Sequence, residues 1–300
     1  MNIDDIKLVT VLGAGTMGHG IAELMALQGF RVIISDVQQN ILDTAFKRIK
    51  QSLLKLAEMG RIKQSNIKST LDRILRTTIL DEAMKEADIA IEAIPEKLEL
   101  KQELFCQMDK LTRAETVLAS NTSTISITEI ASVTSRPDKV IGMHFCNPVP
   151  LMEAVEIVKG IQTSDATVEL VKNLTLKLGK TPVVVKDSPG FLSTRLIAAF
   201  FVEASRMLEE GLASVKDIDM GARLFWGHRV GPFEACDIVG LDVRLNNIIN
   251  MYQTTGDPKW APPLLLKQLV ASGHLGNKPG SKGGYYTYFR LDPPRFGKAR

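Results

Sequence analysis

The sequence predicts an α/β fold: a doubly wound sheet carrying a helical insertion, followed by an all-α C-terminal domain. Three observations predict it. Short β-branched runs alternate with helical stretches from Val9 to about Ser188, and a glycine-rich turn joins the first strand to the first helix. Beyond Asp187 helical periodicity continues with no convincing strand.

Taken in order, strands are expected over 9–12, 31–35, 88–93, 117–120, 140–145 and 183–185, each a compact apolar run bounded by turn residues. Residues 39 to about 76 interrupt this rhythm. Ile41, Ala45, Ile49, Leu53 and Leu56 recur there at helical spacing, with Lys47, Arg48, Lys50, Lys55, Arg61 and Lys63 interleaved, which predicts an inserted helical pair. Ser188-Pro189-Gly190 then punctuates the chain, so residues 1–187 are expected to form one domain and 188–300 a second, all-helical one. Over 191–210 apolar residues cover more than one helix face. Such a helix either buries itself against a second subunit or forms the centre of a monomeric bundle.

Composition excludes several function classes. With 45% hydrophobic and 24% charged residues among 300, disorder is not expected. The formal charge of +3 is spread without a long cationic tract, which argues against nucleic acid as the main partner. Cys106, Cys146 and Cys236 are odd in number and form no CxxC pair, so neither a disulfide framework nor a structural metal site is expected. No leader or membrane-spanning pattern precedes the first strand, and Lys298-Ala299-Arg300 is not a peroxisomal Ser-Lys-Leu signal, so a cytoplasmic location is expected. Phe225, Trp226 and Phe233 are expected to pack, and His19, His228 and His274 to be structural or solvated.

The first strand runs into Gly13-Ala-Gly15-Thr16-Met17-Gly18, the G-x-G-x-x-G pattern, and then into an apolar helix. In a Rossmann-type domain the first glycine permits the tight turn, the second clears space for a pyrophosphate, and the third lets helix and strand pack closely. The helix N-terminus then faces the phosphates. Asp36 ends the second strand, 23 residues after Gly13, where a carboxylate can accept both adenosine ribose hydroxyls. A 2′-phosphate would meet like charge there, and Val37 supplies no compensating arginine, so NAD is favoured over NADP. FAD shares the fingerprint, but no second flavin-binding segment follows.

Further along stand Ser120-Asn121-Thr122-Ser123, then Gly142-Met-His144-Phe-Cys-Asn147-Pro148-Val149-Pro150, then Glu153-Ala-Val-Glu156. Each polar cluster is expected to end a strand, where ligands of open parallel sheets collect. These motifs, with Glu92-Ala-Ile-Pro-Glu96, Lys186-Asp-Ser-Pro-Gly-Phe191 and Val230-Gly-Pro-Phe-Glu234, closely resemble the 3-hydroxyacyl-CoA dehydrogenase family over about residues 7 to 288. The resemblance implies NAD-dependent interconversion of (S)-3-hydroxyacyl-CoA and 3-ketoacyl-CoA, and a homodimer formed through the C-terminal helices.

Carried over by motif, the resemblance makes His144 the general base for the 3-hydroxyl proton, and Glu156 its orienting carboxylate. Ser123 would hydrogen-bond the substrate oxygen, and Asn147 would align nicotinamide with substrate. Glu96, Lys101 and Lys278 match positions that contact NAD, and Ser52 one that contacts CoA. The basic residues of the insertion offer a dock for the phosphates of CoA. Two departures stand out. Thr194 occupies a substrate-facing position where the family usually has asparagine, and Met59 replaces a lysine near the CoA site. Two other readings fit the same residues: a dehydrogenase of a free 3-hydroxy acid, and an NAD-binding structural dimer.

Overall fold

A computed structural model describes residues 2–292, and residues 298–300 of the tail motif lie outside them. The chain divides into two compact units between Ser188 and Pro189. The first contains β1 (Leu8–Leu12), α1 (Gly18–Leu27), β2 (Arg31–Ser35), α2 (Gln39–Glu58), α3 (Ser65–Leu71), β3 (Ile74–Thr77), α4 (Leu80–Met84) and β4 (Ile89–Glu92). It continues with α5 (Leu98–Leu111), β5 (Val117–Ser120), α6 (Ile127–Ala131), β6 (Val140–Phe145), β7 (Ala154–Lys159), α7 (Asp165–Lys177) and β8 (Thr181–Lys186).

The eight strands form one sheet in the order β3-β2-β1-β4-β5-β6-β7-β8. All neighbours run parallel except β6 and β7. Strand order reverses at β1, which pairs with both β2 and β4. β1, β4 and β5 are buried along their whole length, as expected of parallel strands covered by helices on both faces. Each fully buried Val or Ile there contributes roughly 1.5–3 kcal/mol relative to leaving it in water. α2 keeps the predicted stripe at Ala45, Ile49, Leu53 and Leu56, which are buried, but at its start Leu42 is buried and the expected Ile41 only half-buried; Lys47, Arg48, Lys50 and Lys55 are exposed.

Two strands escape the sequence reading. Residues 74–77 form edge strand β3 rather than the end of the helical insertion; only Ile74 of its four residues is buried, so its apolar pattern is too short to register. The cluster from Glu153 to Glu156 does not end a strand but opens β7, with Glu156 in its interior. A buried carboxylate in the middle of Ala154–Lys159 disguised this strand. A Cβ on Gly142 would stand 2.6 Å from that of Val158, so only glycine lets β6 and β7 approach this closely.

The second unit is helical: α8 (Ser193–Glu209), α9 (Val215–Trp226), α10 (Pro232–Val239), α11 (Leu241–Thr255), α12 (Leu264–Ala271) and the short α13 (Tyr285–Tyr288). Its centre is an aromatic cluster in which the Phe233 ring lies 5.9 Å from Phe201 and 4.8 Å from Tyr285. The Ser214 side chain caps α9, and Gly227 ends it in the left-handed region at φ 68°. Asp219 of α9 then receives the Phe233 and Glu234 amides at 2.9 Å and the Tyr286 hydroxyl at 2.8 Å, tying three elements together. Phe233 is buried as expected, but Phe225 and Trp226 are not packed: they are 84% and 79% exposed, because α9 turns its last residues outward from the aromatic cluster. Among the described residues no helix is long and apolar enough to cross a membrane.

Candidate active site

The glycine turn divides its labour in a way the structure makes explicit. Gly13 has φ +95°, and a Cβ there would lie 2.6 Å from the Ala93 carbonyl oxygen at the end of β4. On Gly18 a Cβ would lie 1.8 Å from the Gly13 carbonyl oxygen. Both glycines are therefore required by the fold itself. On Gly15 a Cβ would meet nothing within 4 Å, so its bare Cα serves no internal contact. That open cradle fits the approach of a pyrophosphate.

Thr16 is exposed and Met17 half-buried at the entrance to α1. Asp36, just past β2, accepts the Ala14 amide at 2.8 Å through one oxygen and the Gln38 amide at 3.3 Å through the other, which orients its carboxylate beside the glycine turn. The donor set fits a dinucleotide: a glycine turn and helix start for phosphates, and a carboxylate for ribose hydroxyls. His19 donates from Nδ1 to the Gly15 carbonyl at 2.7 Å, so it belongs to the turn structurally.

β1, β4, β5 and β6 are consecutive parallel neighbours, so their C-terminal ends share one edge of the sheet. Gly13 follows β1, Glu92 ends β4, Ser120 ends β5 and His144 is the penultimate residue of β6. His144 and Glu156 are direct register partners across the antiparallel β6–β7 pair. The His144 Nδ1 lies 2.9 Å from the Glu156 Oε2, with side-chain exposures of 11% and 6%. A carboxylate at this distance fixes the ring orientation. Burial, followed by the Glu156 charge, pushes the Cys146 thiol upward, so it is not an activated nucleophile.

The loop after β5 carries Ser123, and it is anchored by Glu96. One carboxylate oxygen of Glu96 accepts the Thr122 hydroxyl at 2.6 Å, the Ser123 amide at 2.9 Å and the Thr124 amide at 3.1 Å. Burial acts to raise the Glu96 carboxyl, but Lys101 and these donors overcome it and hold the group below the usual carboxylate range. Lys101 is not on a solvated helix face: it is 1% exposed, with Nζ 2.6 Å from Glu92 and 3.3 Å from Glu96. Asn147 is exposed in the loop after β6, and that loop is seated on α1, where a Cβ on Gly20 would lie 3.1 Å from Val149.

The remaining candidates are Ser52 in the first unit and Thr194 and Lys278 in the second. Ser52 is half-buried on α2 beside Glu23, a fully buried α1 carboxyl that burial raises to about 7 and the Ser52 hydrogen bond partly lowers. In the second unit Thr194 is buried in the first turn of α8. Lys278 of the same unit forms a 2.5 Å ion pair with Asp242, and its side chain fills the space a Cβ on Gly240 would need. Sequence reasoning missed Glu92, which accepts the Ser120 hydroxyl and the Ile94 amide as well as Lys101. The available signal was a lone acid closing the apolar run of β4.

Strand order, glycine turn and the acid after β2 define a Rossmann-type dinucleotide-binding domain, followed here by a helical unit. The pattern of the 3-hydroxyacyl-CoA dehydrogenase NAD-binding domain matches residues 8–188, and that of the C-terminal domain of the same enzymes matches residues 190–288. A probable 3-hydroxybutyryl-CoA dehydrogenase of Bacillus subtilis is 43% identical over 95% of this chain and 98% of the relative. The mitochondrial hydroxyacyl-coenzyme A dehydrogenase of Homo sapiens is 39% identical over 94% of this chain and 91% of its own. The crystal structure of an (S)-3-hydroxybutyryl-CoA dehydrogenase from Ralstonia eutropha superposes with a TM-score of 0.88 at 41% identity, covering 93% of this chain and 99% of that one. The chain belongs to the 3-hydroxyacyl-CoA dehydrogenase family.

Proposed function

We propose that this protein catalyses NAD-dependent oxidation of (S)-3-hydroxyacyl-CoA to 3-ketoacyl-CoA, and the reverse. The observation that carries this reading is the His144–Glu156 pair, 2.9 Å apart, on the same sheet edge as the glycine turn. NAD, when bound, supplies the acceptor for hydride from substrate C3. His144 takes the 3-hydroxyl proton at Nε2, while Nδ1 stays with Glu156, whose charge stabilises the imidazolium. In the reductive direction the same ring returns the proton. Ser123 donates a hydrogen bond to the substrate oxygen, Asn147 aligns substrate and nicotinamide, and Thr194 offers one hydroxyl where the family usually has an amide.

Gly13, Gly15, Thr16, Met17 and Gly18 would seat the pyrophosphate, and Asp36 the adenosine ribose, which selects NAD over NADP by charge. The exposed cations Lys47, Arg48 and Lys50 on α2 support a CoA thioester over a free hydroxy acid, since they offer several donors to phosphate. A homodimer through the second unit is supported by its solvent-facing apolar residues: Leu196, Leu212, Leu224, Phe225 and Trp226 are each at least 63% exposed. The test is spectrophotometric NADH oxidation with acetoacetyl-CoA, repeated with NADPH and with longer 3-ketoacyl-CoAs. Turnover with NADH that His144→Gln abolishes, while NADH affinity holds, is the expected result. Binding of NADH without turnover on any chain length would overturn the proposal.

A further inference from the structure

The segment from Asn147 to Glu153 joins the strand of His144 to the strand of Glu156, and little of it is buried. Asn147, Pro148, Leu151, Met152 and Glu153 are exposed, and of the whole segment only Val149 is buried, against α1 at Gly20. A single apolar anchor holds the rest of such a loop weakly, because burial supplies most of what keeps a loop in one place. The Leu151 and Met152 amides close a turn on the Pro148 carbonyl, at 3.0 and 3.1 Å. The Pro150 and Met152 carbonyls are taken by a distant side chain: the Lys180 ammonium donates to them at 2.9 and 2.6 Å.

Lys180 is placed for this by the chain on either side of it. Gly179, in the left-handed region at φ 70°, ends α7, and the Lys180 amide closes that end on the Thr175 carbonyl at 3.1 Å. The next residue, Thr181, opens β8 and gives its amide to the Glu153 carbonyl at 2.7 Å. The carbonyls of Pro150, Met152 and Glu153 are thus all held from the start of β8. Lys180 is 9% exposed, and its acceptors are carbonyls rather than a carboxylate, so the contact is a backbone clamp and not an ion pair. We propose that Lys180 is a positioning residue for the reaction, its ammonium fixing the 147–153 loop so that Asn147 is presented in one place. The proposal rests on the reading of Asn147 as the residue that aligns substrate and nicotinamide. His144 and Glu156 are held by four rungs of the β6–β7 ladder, so the clamp governs Asn147 and not that pair.

The test compares Lys180→Met, which keeps the aliphatic stem and removes every N–H donor, with Lys180→Arg, whose guanidinium restores donors for two carbonyls. In Lys180→Met the Leu151 and Met152 amides should exchange with solvent about tenfold faster than wild type, while amides of β1 keep their rate. With acetoacetyl-CoA and NADH, kcat should fall about tenfold, the NADH dissociation constant should stay within about threefold, and the pH profile of kcat should not move. Asn147→Ala and the double variant Asn147→Ala/Lys180→Met should have the same kcat, because the clamp acts through that one side chain. Lys180→Arg should return both exchange and kcat to within about threefold of wild type.

Wild-type exchange at the two amides in a folded Lys180→Met protein would overturn the inference. So would a double variant whose kcat lies a further tenfold below that of Asn147→Ala, since Lys180 would then act by another route. Should Lys180→Met not fold, Lys180→Gln takes its place beside Lys180→Arg, keeping one amide group for a single carbonyl, and equal exchange in those two would likewise overturn it. Exchange is read on the free protein, so it tests the clamp even if acetoacetyl-CoA is not reduced, an outcome that counts against the proposed function alone.

Discussion

Glu23 offers a quantitative check on how the first unit is packed. The residue sits on α1, 1% exposed, and its Oε1 has no hydrogen-bond partner. Burial raises the carboxyl from its ordinary 4.5 to about 7, against the partial relief given by Ser52. A group raised on folding contributes stability that is complete below its unfolded value and is lost as pH rises through its folded value. The window here is therefore from about 4.5 to about 7. At 1.36 kcal/mol per pH unit of displacement, the full loss comes to about 3 kcal/mol, of which less than about 1 has set in by pH 5.

Glu23→Gln removes the titration while keeping the shape. Urea unfolding of both proteins at pH 5, 6, 7 and 8, followed by far-ultraviolet circular dichroism, is expected to show the variant gaining on wild type by about 2.5 kcal/mol from pH 5 to pH 8. Two parallel stability curves would refute the reasoning. They would mean that the carboxylate reaches water or a cation, and that the contact between α1 and α2 is looser than the structure has it.

Three further outcomes follow from the geometry. Gly15→Ala should leave the melting temperature within about 2 °C of wild type but weaken NADH binding at least about tenfold, whereas Gly18→Ala, meeting backbone at 1.8 Å, should cost more than about 3 kcal/mol of stability; denaturation and NADH fluorescence titration separate the two. Glu156→Gln should lower kcat about a hundredfold or more with little change in NADH affinity, because it frees the ring that the carboxylate holds at 2.9 Å; steady-state kinetics beside a binding titration checks this, and an equal loss in both would contradict the assignment. Trp226→Glu, placing charge on a residue 79% exposed, should shift sedimentation velocity from a dimer to a monomer if this face joins two copies; an unchanged coefficient would move the interface elsewhere.

Most of the nucleotide end was legible along the chain, because its chemistry is local. Gly13, Gly15, Gly18 and the strand and helix flanking them act within a few residues of one another, and Asp36 follows the strand that begins on the far side of the first helix. The helical insertion was legible for the same reason, since the buried stripe of α2 repeats at the period of its own backbone. The end of that insertion was not. β3 takes its identity from pairing with β2, and four residues with one buried side chain carry no periodicity of their own. Exposure of Phe225 and Trp226 ran against their chemistry, because hydrophobicity does not say which way the end of a helix points.

By itself, then, the sequence determined the dinucleotide fold, the glycine turn and the family, and it singled out His144 and Glu156 as a candidate pair. Tertiary structure alone decided that β7 runs antiparallel to β6, so that positions 144 and 156 face each other across one rung of the sheet. It also decided that Lys101 lies buried between Glu92 and Glu96 rather than in water. The physical reason is range: glycine geometry and helix periodicity are set by neighbours in the chain, whereas strand register and the burial of a charge depend on partners that only folding brings near.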